Sequence, residues 1–417
     1  MQPTIYHATD HDIDHHLIDR DALYVIEKLR QAGFKAYLVG GSVRDLLLKR
    51  EPKDFDISTS AWPEQIKKIF HRQCLLIGRR FRLAHIRFGA KIIEVATFRA
   101  GDNESDLIIH DNVWGTEEED VLRRDFTING LFYDPLTHTV IDYVGGWDDI
   151  HKHVIRTIGQ PETRFKQDPV RMIRLLKFQA RFGFIPTDET YKALLHSRLE
   201  IVKSSPARVL EEMLRMLESC HSASFFKNLH ETGLLELLFS SLSQAFSTEK
   251  GHEIFQFLDV ADQINRKSPR FPIERAVLVC CLIFPLLEEE IKKQYLDKGH
   301  IPHLGEILTT ISDLHRTYIL SAFSHFPRRL SAIMSYVLST QYRLIPFRNK
   351  KIHFHRLFRT KEFPLALRLL KIRASIHHDL QPQYIQIRES FRQFLRNEDS
   401  KARQKAKKTR ESHAVSR

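Results

Sequence analysis

Two patterns of hydrophobic and polar positions follow one another along the chain. Up to Gly146, short apolar runs bounded by turn residues are typical of strands separated by helices. An amphipathic run from Asp21 to Gln31, followed by Gly33, predicts a helix that ends at a glycine. The first part of the chain is therefore predicted to be mixed α/β. Its strand-like runs are KAYLVG, DFDIST, QCLLIG, LAHIRF, KIIEVATF, FTINGLFYD and TVIDYV.

Further along the chain, the apolar positions recur at the spacing of α-helices. DPVRMIRLLKFQARFG carries Pro169 in its first turn and Gly183 at its end, where helices favour these residues. SPARVLEEMLRMLES repeats the arrangement with Pro206, and apolar helices with basic faces are predicted as far as about Ala374. After Asn397 the sequence is basic and has no apolar periodicity, so we expect disorder there.

Length and pattern together predict several domains. A chain of 417 residues is too long for a single core. We predict an α+β protein with a mixed-sheet head at residues 1–155, a helical neck at 156–220, a helical body at 221–345 and a basic, arginine-rich region at 346–417. The last region includes the segment for which disorder is expected.

The composition favours a polyanionic partner. The formal net charge is +12 and the sequence pI is about 9.4, so nucleic acid or an anionic membrane surface would be attracted. A basic enzyme without such a partner is the alternative. We predict no transmembrane segment, because no apolar run reaches the ~18 residues that are needed. The nearest, Ala276 to Leu287, is interpreted as a core helix.

The cysteines indicate a reducing compartment. The four cysteines show no Cys-x-x-Cys spacing, and Cys280 and Cys281 lie within the apolar run AVLVCCLIF. We interpret these two as reduced core residues and predict a cytoplasmic protein. The polar start of the chain, MQPTIYHATDHDIDHH, is expected to be mobile, and metal binding by its histidines is the alternative.

Two acidic residues in KDFDIST are the first candidates for a catalytic site. Residues two apart on a strand point to the same side, so Asp54 and Asp56 are expected to face one side, with Phe55 and Ile57 in the core. Two carboxylates this close repel each other unless a cation lies between them, and such hard oxygen ligands suit Mg²⁺. The alternative is a solvated strand edge with two unrelated acids.

The turn before these acids has the features of a phosphate-binding site. Gly40, Gly41 and Ser42 stand where a strand ends and a helix with Arg44 and Asp45 begins. Glycines allow close backbone approach, the amides of a helix start attract phosphate, and Arg44 adds a charged fork. The spacing of a Walker A loop is absent, as is the dinucleotide fingerprint.

These residues belong to a series of motifs that resembles one enzyme family. GGSVRDLLL followed by KDFDIST resembles the first motif of the class II nucleotidyltransferases, the bacterial poly(A) polymerases and CCA-adding enzymes. RRDFTING, Arg123 to Gly130, resembles their second motif, and RFKQDPVRMIR, Arg164 to Arg174, resembles the helix start that reads the incoming base. The matches follow the family's order over roughly residues 20 to 220. The resemblance implies a nucleotidyltransferase head domain.

The resemblance also assigns acids to a metal site. It implies that Asp54 and Asp56 hold two Mg²⁺ ions and that Asp125 is the third catalytic acid. In some accounts of the wider family, the residue that matches Asp125 contacts the nucleotide ribose instead. Glu94, in IIEVATF, is a competing third carboxylate, but we prefer to interpret it as a charged residue on the solvent face of a strand.

A set of nucleotide-binding residues is implied in the same way. Asp168 and Arg171 match the pair that hydrogen-bonds the base edge, and at a spacing of three they share one helix face. An intrahelical ion pair is the alternative. The acid often found before this aspartate is Gln167 here, which weakens any assignment of a second acid. The full set is Gly40, Gly41, Arg44, Asp45, Arg124, Asn129, Asp168 and Arg171.

Other segments favour poly(A) polymerases over CCA-adding enzymes. CLLIGRRFRLAHIRFG, Cys74 to Gly89, resembles poly(A) polymerases, whereas CCA-adding enzymes usually have a glycine-rich segment with threonine there. SPARVLEEMLRML and FPRRLSAIMSYVLSTQYRL resemble poly(A) polymerase helices. The sequence therefore predicts adenylate transfer from ATP to the 3′ end of RNA. CCA addition to tRNA and RNA binding without catalysis are the alternatives.

The basic C-terminal part is expected to contact the RNA. Arg328, Arg329 and the final Lys/Arg cluster are candidates, because lysine and arginine bind phosphates whatever the base sequence. Interleaved phenylalanines could stack on bases, although we interpret most of them as core residues. They are Phe347, Phe354, Phe358 and Phe363.

Overall fold

The computed structural model describes residues 2–78, 83–100, 113–323, 326–347 and 354–415, with side chains as far as Ser400. The chain divides into two compact units, Met1–Ser204 and Ser205–Arg417. This division falls inside the predicted neck, and the four domain boundaries drawn from the sequence remain a prediction.

The first unit is built on a mixed sheet. Among the described residues it has eight strands in the order β1-β8-β7-β2-β3-β6-β5-β4. The pairing of β3 with β6 is parallel, and the other pairings are antiparallel. The strands are β1 Thr4–Tyr6, β2 Ala36–Val39, β3 Asp56–Thr59, β4 Cys74–Ile77, β5 Leu83–Phe88, β6 Lys91–Thr97, β7 Leu131–Asp134 and β8 Thr139–Asp142; β9 Val154–Ile155 and β10 Ile185–Pro186 pair separately.

Helices complete the first unit and form the second. The helices of the first unit are α1 Arg20–Gln31, α2 Gly41–Leu47, α3 Pro63–Phe70, α4 Glu117–Leu122, α5 Gly146–His151, α6 Pro161–Gln167, α7 Val170–Phe182 and α8 Asp188–Ser197. Those of the second are α9 Pro206–Leu217, α10 Ser222–Glu231, α11 Leu234–Leu238, α12 Ser240–Phe246, α13 Glu249–Lys267, α14 Arg275–Gln294, α15 Leu304–His315, α16 Arg328–Leu344, α17 Phe354–Phe358, α18 Phe363–Ile376 and α19 Gln381–Val415. The predicted α+β class, with a mixed-sheet head and a helical remainder, is confirmed.

Helix α1 shows how local sequence sets the elements that support the site. The Asp19 carboxylate accepts hydrogen bonds from the backbone amides of Asp21 and Ala22, which caps the N-terminus. At the other end Gly33 has a φ of 86°, the left-handed conformation that glycine adopts without strain. The apolar face of α1, buried at residues such as Ile26 and Leu29, packs on β2 and β3. The sequence prediction for this helix is confirmed.

The start of the chain differs from the prediction of a mobile segment. β1 pairs antiparallel with β8 at the edge of the sheet, and the Tyr6 ring stacks on Trp147 with centroids 4.1 Å apart. His11 Nε2 lies 3.0 Å from the carbonyl oxygen of His138. The prediction was wrong because the partners of this segment lie more than a hundred residues away in the sequence, and local patterns do not indicate such contacts.

The C-terminal segment also differs from its prediction. The backbone of α19 continues to Val415, into the part for which disorder was expected. Lysine, arginine and alanine make up half of that part, and all three have high helix propensity.

The second unit buries most of the aromatic residues that its sequence interleaves with cations. Phe358 and Phe363 belong to one apolar cluster with Leu370, whereas Phe347 is 37% exposed. Cys280 and Cys281 are buried in α14 as free thiols. In the part of the chain that the structure describes, no helix is both long and apolar enough to cross a membrane.

Candidate active site

A glycine turn joins the buried strand β2 to helix α2. Gly40 has a φ of 66°, which a residue with a side chain rarely adopts, and the Ser42 hydroxyl donates to the Val39 carbonyl at 3.0 Å. A Cβ on Gly40 would lie 3.1 Å from Nη1 of Arg124, and one on Gly41 would lie 3.5 Å from Nη2 of Arg44. The two glycines therefore let two guanidinium groups approach the backbone of the turn.

Arg44, the residue of α2 that is predicted to bind phosphate, is buried against other groups of the protein. It is 3% exposed, and its Nη1 donates to Asn129 Oδ1 at 2.5 Å while Nε and Nη2 donate to Asp45 Oδ1. The guanidinium lies over the rings of Phe178 and Phe182, 5.1 and 4.5 Å from their centroids. Through these contacts Arg44 joins α2 to Asn129 of the second motif and to α7. Its contact with the triphosphate stays a prediction.

Two exposed acids, Asp54 and Asp56, form what is called here the acid pair. Asp56 is the first residue of β3, and Asp54 lies just before the strand, with Ile57 buried as predicted. The register of the parallel strands places Asp56 opposite Glu94 of β6. The register therefore brings the carboxylate of Glu94 to the end of the sheet at which the acid pair lies.

The electrostatics of Asp56 reflect this crowding of acids. The side chain of Asp56 is exposed, but the protein around its carboxylate removes part of the solvation of that group. This loss of solvation, followed by the charges of Glu94 and Asp54, raises the pKa of Asp56 to about 6, and Arg124 acts to lower it. A divalent cation would relieve the repulsion, and three exposed carboxylates are the hard oxygen donors that Mg²⁺ prefers. The donor groups at this position are thus of the type that magnesium prefers.

Asp125 does not lie in the open with the acid pair. It is 5% exposed, and its Oδ2 forms an ion pair with Arg174 at 2.8 Å. Its Oδ1 accepts from Asn129 Nδ2 at 3.1 Å and from the Phe126 amide at 2.9 Å. Burial by itself would raise the pKa of Asp125, but Arg174, Asn129 and the Phe126 amide outweigh it and hold the pKa below the usual range. Asp125 thus has partners on α7 and in its own loop, and its role as the third acid of the site stays a prediction.

Arg124 is the cation that connects the glycine turn with the acid pair. Its Nη2 donates to Asp120 Oδ2 at 2.9 Å and to Ser58 Oγ, on β3, at 3.3 Å. Its Nη1 approaches Gly40, and its charge lowers the pKa of Asp56. A side chain held between a glycine turn and metal-type carboxylates could meet a triphosphate there, and this role of Arg124 stays a prediction.

Asp120, which the sequence analysis missed, holds this arginine in place. Its side chain is fully buried and pairs with both Arg123 and Arg124. The two arginines keep its pKa below the usual range although burial acts to raise it. The spacing of three and four residues in EDVLRRD was the available signal, since residues so spaced meet on one helix face.

Arg164 of α6 and Arg171 of α7 support the C-terminal end of α4. Arg164 Nη2 donates to the carbonyl oxygens of Leu122 and Arg124, and Arg171 Nη2 donates to that of Arg123 at 3.0 Å. The last carbonyls of a helix lack partners within the helix, so these bonds complete the C-terminus of α4. Burial, followed by the charge of Arg171, lowers the pKa of Arg164 to about 10. The arginines therefore fix the position of the loop that carries Arg124.

The predicted base-reading pair is found at the junction of α6 and α7. Arg171 is 4% exposed and Asp168 is half-buried, and the Arg171 amide donates to the Asp168 carbonyl at 3.0 Å. Gln167, which replaces the acid common in the family, accepts from Arg164 Nη1 at 3.2 Å. Asp168 is the more accessible member of the pair, and Arg171 lies behind it.

Comparisons with known proteins give the same family. The family model for the Poly A polymerase head domain matches residues 36–156. The model described as "Probable RNA and SrmB-binding site of polymerase A" matches residues 183–246.

Individual relatives extend the match along the chain. The chain is 36% identical to poly(A) polymerase I of Salmonella typhi, over 91% of this chain and 83% of that one. It is 38% identical to the CCA-adding enzyme of Lactobacillus helveticus, over 52% of this chain and 54% of that one. Among solved structures, it is similar to the Bacillus stearothermophilus CCA-adding enzyme in complex with CTP, with a TM-score of 0.60, 25% identity, and coverage of 90% of this chain and 82% of that one.

Proposed function

The chain belongs to the poly(A) polymerase family of nucleotidyltransferases, and from this premise we propose that it adds adenylate from ATP to RNA 3′ ends without a template. The observation that supports this most is the extent of the match. It covers 91% of the chain for a poly(A) polymerase I but 52% for a CCA-adding enzyme. The sequence match to the polymerase therefore includes the helical second unit in addition to the head.

The acid pair and Glu94 would hold the magnesium of this reaction. Bound there, Mg²⁺ would neutralise phosphate charge and lower the pKa of the RNA 3′-hydroxyl, whose oxygen attacks the α-phosphate as the bond to the β-phosphate breaks and pyrophosphate leaves. The residues of the chain contribute position and charge. Asp56, whose pKa is about 6 without a cation, is mostly ionised at pH 7 and available as a ligand. No covalent intermediate is required.

Arg124 and the glycine turn would bind the triphosphate. The turn has little side-chain bulk at Gly40 and Gly41, so phosphate oxygens can approach its backbone closely. Arg124 lies beside it with part of its side chain exposed, 18% in all. Most of the rate enhancement would come from orientation and charge neutralisation.

Asp168 would accept a hydrogen bond from the exocyclic amino group of the incoming base, with Arg171 holding the helix start in place. Adenine and cytosine both carry such an amino group. This pair by itself therefore does not separate ATP from CTP, and CCA addition to tRNA remains the second candidate. The structural similarity to a CCA-adding enzyme in complex with CTP supports this second candidate function.

RNA would be held by the basic surface outside the head. Arg328 and Arg329 are exposed at the start of α16, and the match to the RNA-binding family model lies at residues 183–246. Such contacts suit a primer of any sequence, because they involve phosphates. We place this activity in the cytoplasm, where free cysteines persist.

A nucleotide-selection experiment tests the proposal against its rival. The purified chain, with Mg²⁺, is given ATP, CTP or both, on an unstructured RNA primer and on a tRNA that lacks its terminal CCA. We expect long tails on the unstructured primer from ATP alone. Addition that needs CTP, occurs on tRNA and stops after three residues would assign the chain to CCA addition instead.

A further inference from the structure

An open cavity of about 820 Å³ lies in the first unit, where α1, the end of α3 and the turn at residues 71–73 meet. It is separate from the acid pair and the glycine turn. The described residues that line it include three cations and no carboxylate. The lining groups used below are Tyr24, Lys28, Lys67, His71, Arg72 and Gln73.

The cations of this cavity are available for an anionic ligand. Lys28 Nζ lies 5.7 Å from the centroid of the Tyr24 ring and 3.4 Å from Gln31 Oε1. Lys67 Nζ donates to the carbonyl of Cys74. Arg72 is exposed. Within the described part of the chain, none of the three cations forms an ion pair with an acidic side chain, in contrast to Lys91 beside α1, which pairs with two aspartates.

Tyr24 adds an aromatic surface to the cavity. Its side chain is 41% exposed, and its ring meets Phe88 edge-on, with centroids 6.0 Å apart. An exposed ring beside unpaired cations is the combination with which proteins bind single-stranded nucleic acid, because the ring stacks on a base while the cations contact phosphates. The exposed groups of His71 and Gln73 can form hydrogen bonds with the same ligand.

The sheet register places this cavity at the same end of the sheet as the acid pair. Cys74, which follows the lining turn, pairs with Ile86, and Ile86 pairs with Ile93. The next residue of β6, Glu94, pairs with Asp56. Three strand spacings separate the two positions, or about 14 Å. A chain that reaches the acid pair is therefore close to the cavity.

We propose that this cavity is an additional binding site for single-stranded RNA, with phosphates on Lys28, Lys67 and Arg72 and a base stacked on Tyr24. The inference rests on the proposed function in one respect, that RNA is the substrate. The site holds a segment of the RNA on the head itself, so that the 3′ end remains near the acid pair during repeated additions.

A matched pair of variants tests the phosphate contacts. Lys28→Gln/Arg72→Gln removes two cavity cations, and Arg20→Gln/Lys68→Gln removes two exposed cations of α1 and α3 that do not line the cavity. The affinity of each full-length chain for a labelled, unstructured RNA is measured by fluorescence anisotropy over a range of salt concentrations. We expect the cavity variant to make the negative slope of log affinity against log salt shallower by about 1.4, or about 0.7 for each lost contact, and the control to leave it unchanged.

A second pair of variants tests the stacking. Tyr24→Leu is expected to weaken RNA binding by at least about fivefold, while Tyr24→Phe, which keeps the ring, retains it. The KM for ATP, measured with a short primer, should stay constant in all of these variants. Equal slopes for the cavity and control variants, or equal binding by Tyr24→Leu and Tyr24→Phe, would overturn the inference and would leave a protein partner as the ligand to seek.

The result is distinguishable from a failure of the proposed function. Binding is read without nucleotide addition, so loss of slope in the cavity variant supports the site even for a chain that does not extend RNA with ATP. If the wild-type chain extends RNA with ATP while the cavity variant binds RNA as the control does, the site is refuted and the proposed activity stands.

Discussion

Asp56 on β3 lies directly opposite Glu94 on β6, in register across the parallel pair of strands in the sheet. This relationship brings a third carboxylate to the acid pair without any help from Asp125, which is buried against Arg174. Loss of solvation, followed by the charge of Glu94, raises the pKa of Asp56 to about 6. The proposed metal site therefore depends on strand register as well as on the DFD motif.

Replacement of Glu94 should reduce activity without reducing stability. In Glu94→Gln the site loses one oxygen ligand and one negative charge, so we expect a weaker affinity for Mg²⁺ and a turnover about 10- to 100-fold lower at limiting Mg²⁺. The measurement is the rate of adenylate addition over a Mg²⁺ titration. Glu27→Gln, on the exposed side of α1, is the control. Equal Mg²⁺ dependence in both variants would return Glu94 to the role of a surface residue.

The raised pKa of Asp56 predicts a pH dependence of folding stability that magnesium removes. Because this pKa is higher in the folded chain than the ~3.9 of an unfolded one, the folded state binds the proton more tightly. Without divalent metal, the resulting stabilisation is complete below about pH 4 and is lost as the pH rises through about 6.

The Asp56→Asn variant lacks this titration. Its melting temperature, relative to that of the wild type, should therefore rise between pH 4 and 7 in the presence of a chelator, and the difference should shrink or reverse when Mg²⁺ is added. A difference that is constant over this range, or unaffected by Mg²⁺, would argue against a crowded acid site at Asp56.

Asp125→Asn should impair stability more than Asp54→Asn does. The first substitution weakens a buried carboxylate's bonds with Arg174 and Asn129, and we expect it to lower the free energy of unfolding by about 2 kcal/mol. Asp54 is exposed, so its substitution should leave stability within about 0.5 kcal/mol while abolishing activity. Urea denaturation of both variants makes the comparison. Equal stability of the two variants would contradict the stabilising role of the buried contacts of Asp125.

Arg123 and Arg124 offer a matched comparison for the nucleotide site. Both pair with the buried Asp120, but the guanidinium of Arg124 alone of the two contacts Ser58 and approaches Gly40. Arg124→Lys should raise the KM for ATP about tenfold or more, because lysine cannot reproduce the planar fork. Arg123→Lys should have a similar effect on stability and little effect on the KM. Steady-state kinetics with a saturating RNA primer gives both values.

The sequence predicted what local signals specify. Gly33 and Gly183 mark helix ends as expected, and Asp56 begins a strand within the run DFDIST, with Asp54 just before it. Long-range contacts were not predictable in this way. The pairing of β1 with β8 joins segments more than a hundred residues apart. The position of Glu94 opposite Asp56 depends on the register of β6 on β3.

The protein partners of two arginines were also not predictable from local signals. Arg44 and Arg171 stand in motifs for which the resemblance implies nucleotide contacts, and in the structure they donate to Asp45, Asn129 and backbone carbonyls. A sequence motif shows where an arginine stands in the chain. The partner of its guanidinium depends on how α2, α4 and α7 pack together.

The most direct test of the account is the length of the product formed from ATP alone. An unstructured RNA primer is incubated with Mg²⁺, ATP and either the wild-type chain or the Asp54→Asn/Asp56→Asn variant, and the products are separated by length. The account predicts long tails with the wild type, and no addition by the variant although it still binds the RNA. Tails of wild-type length from the variant, or a wild-type chain that adds nothing until CTP is supplied, would contradict it.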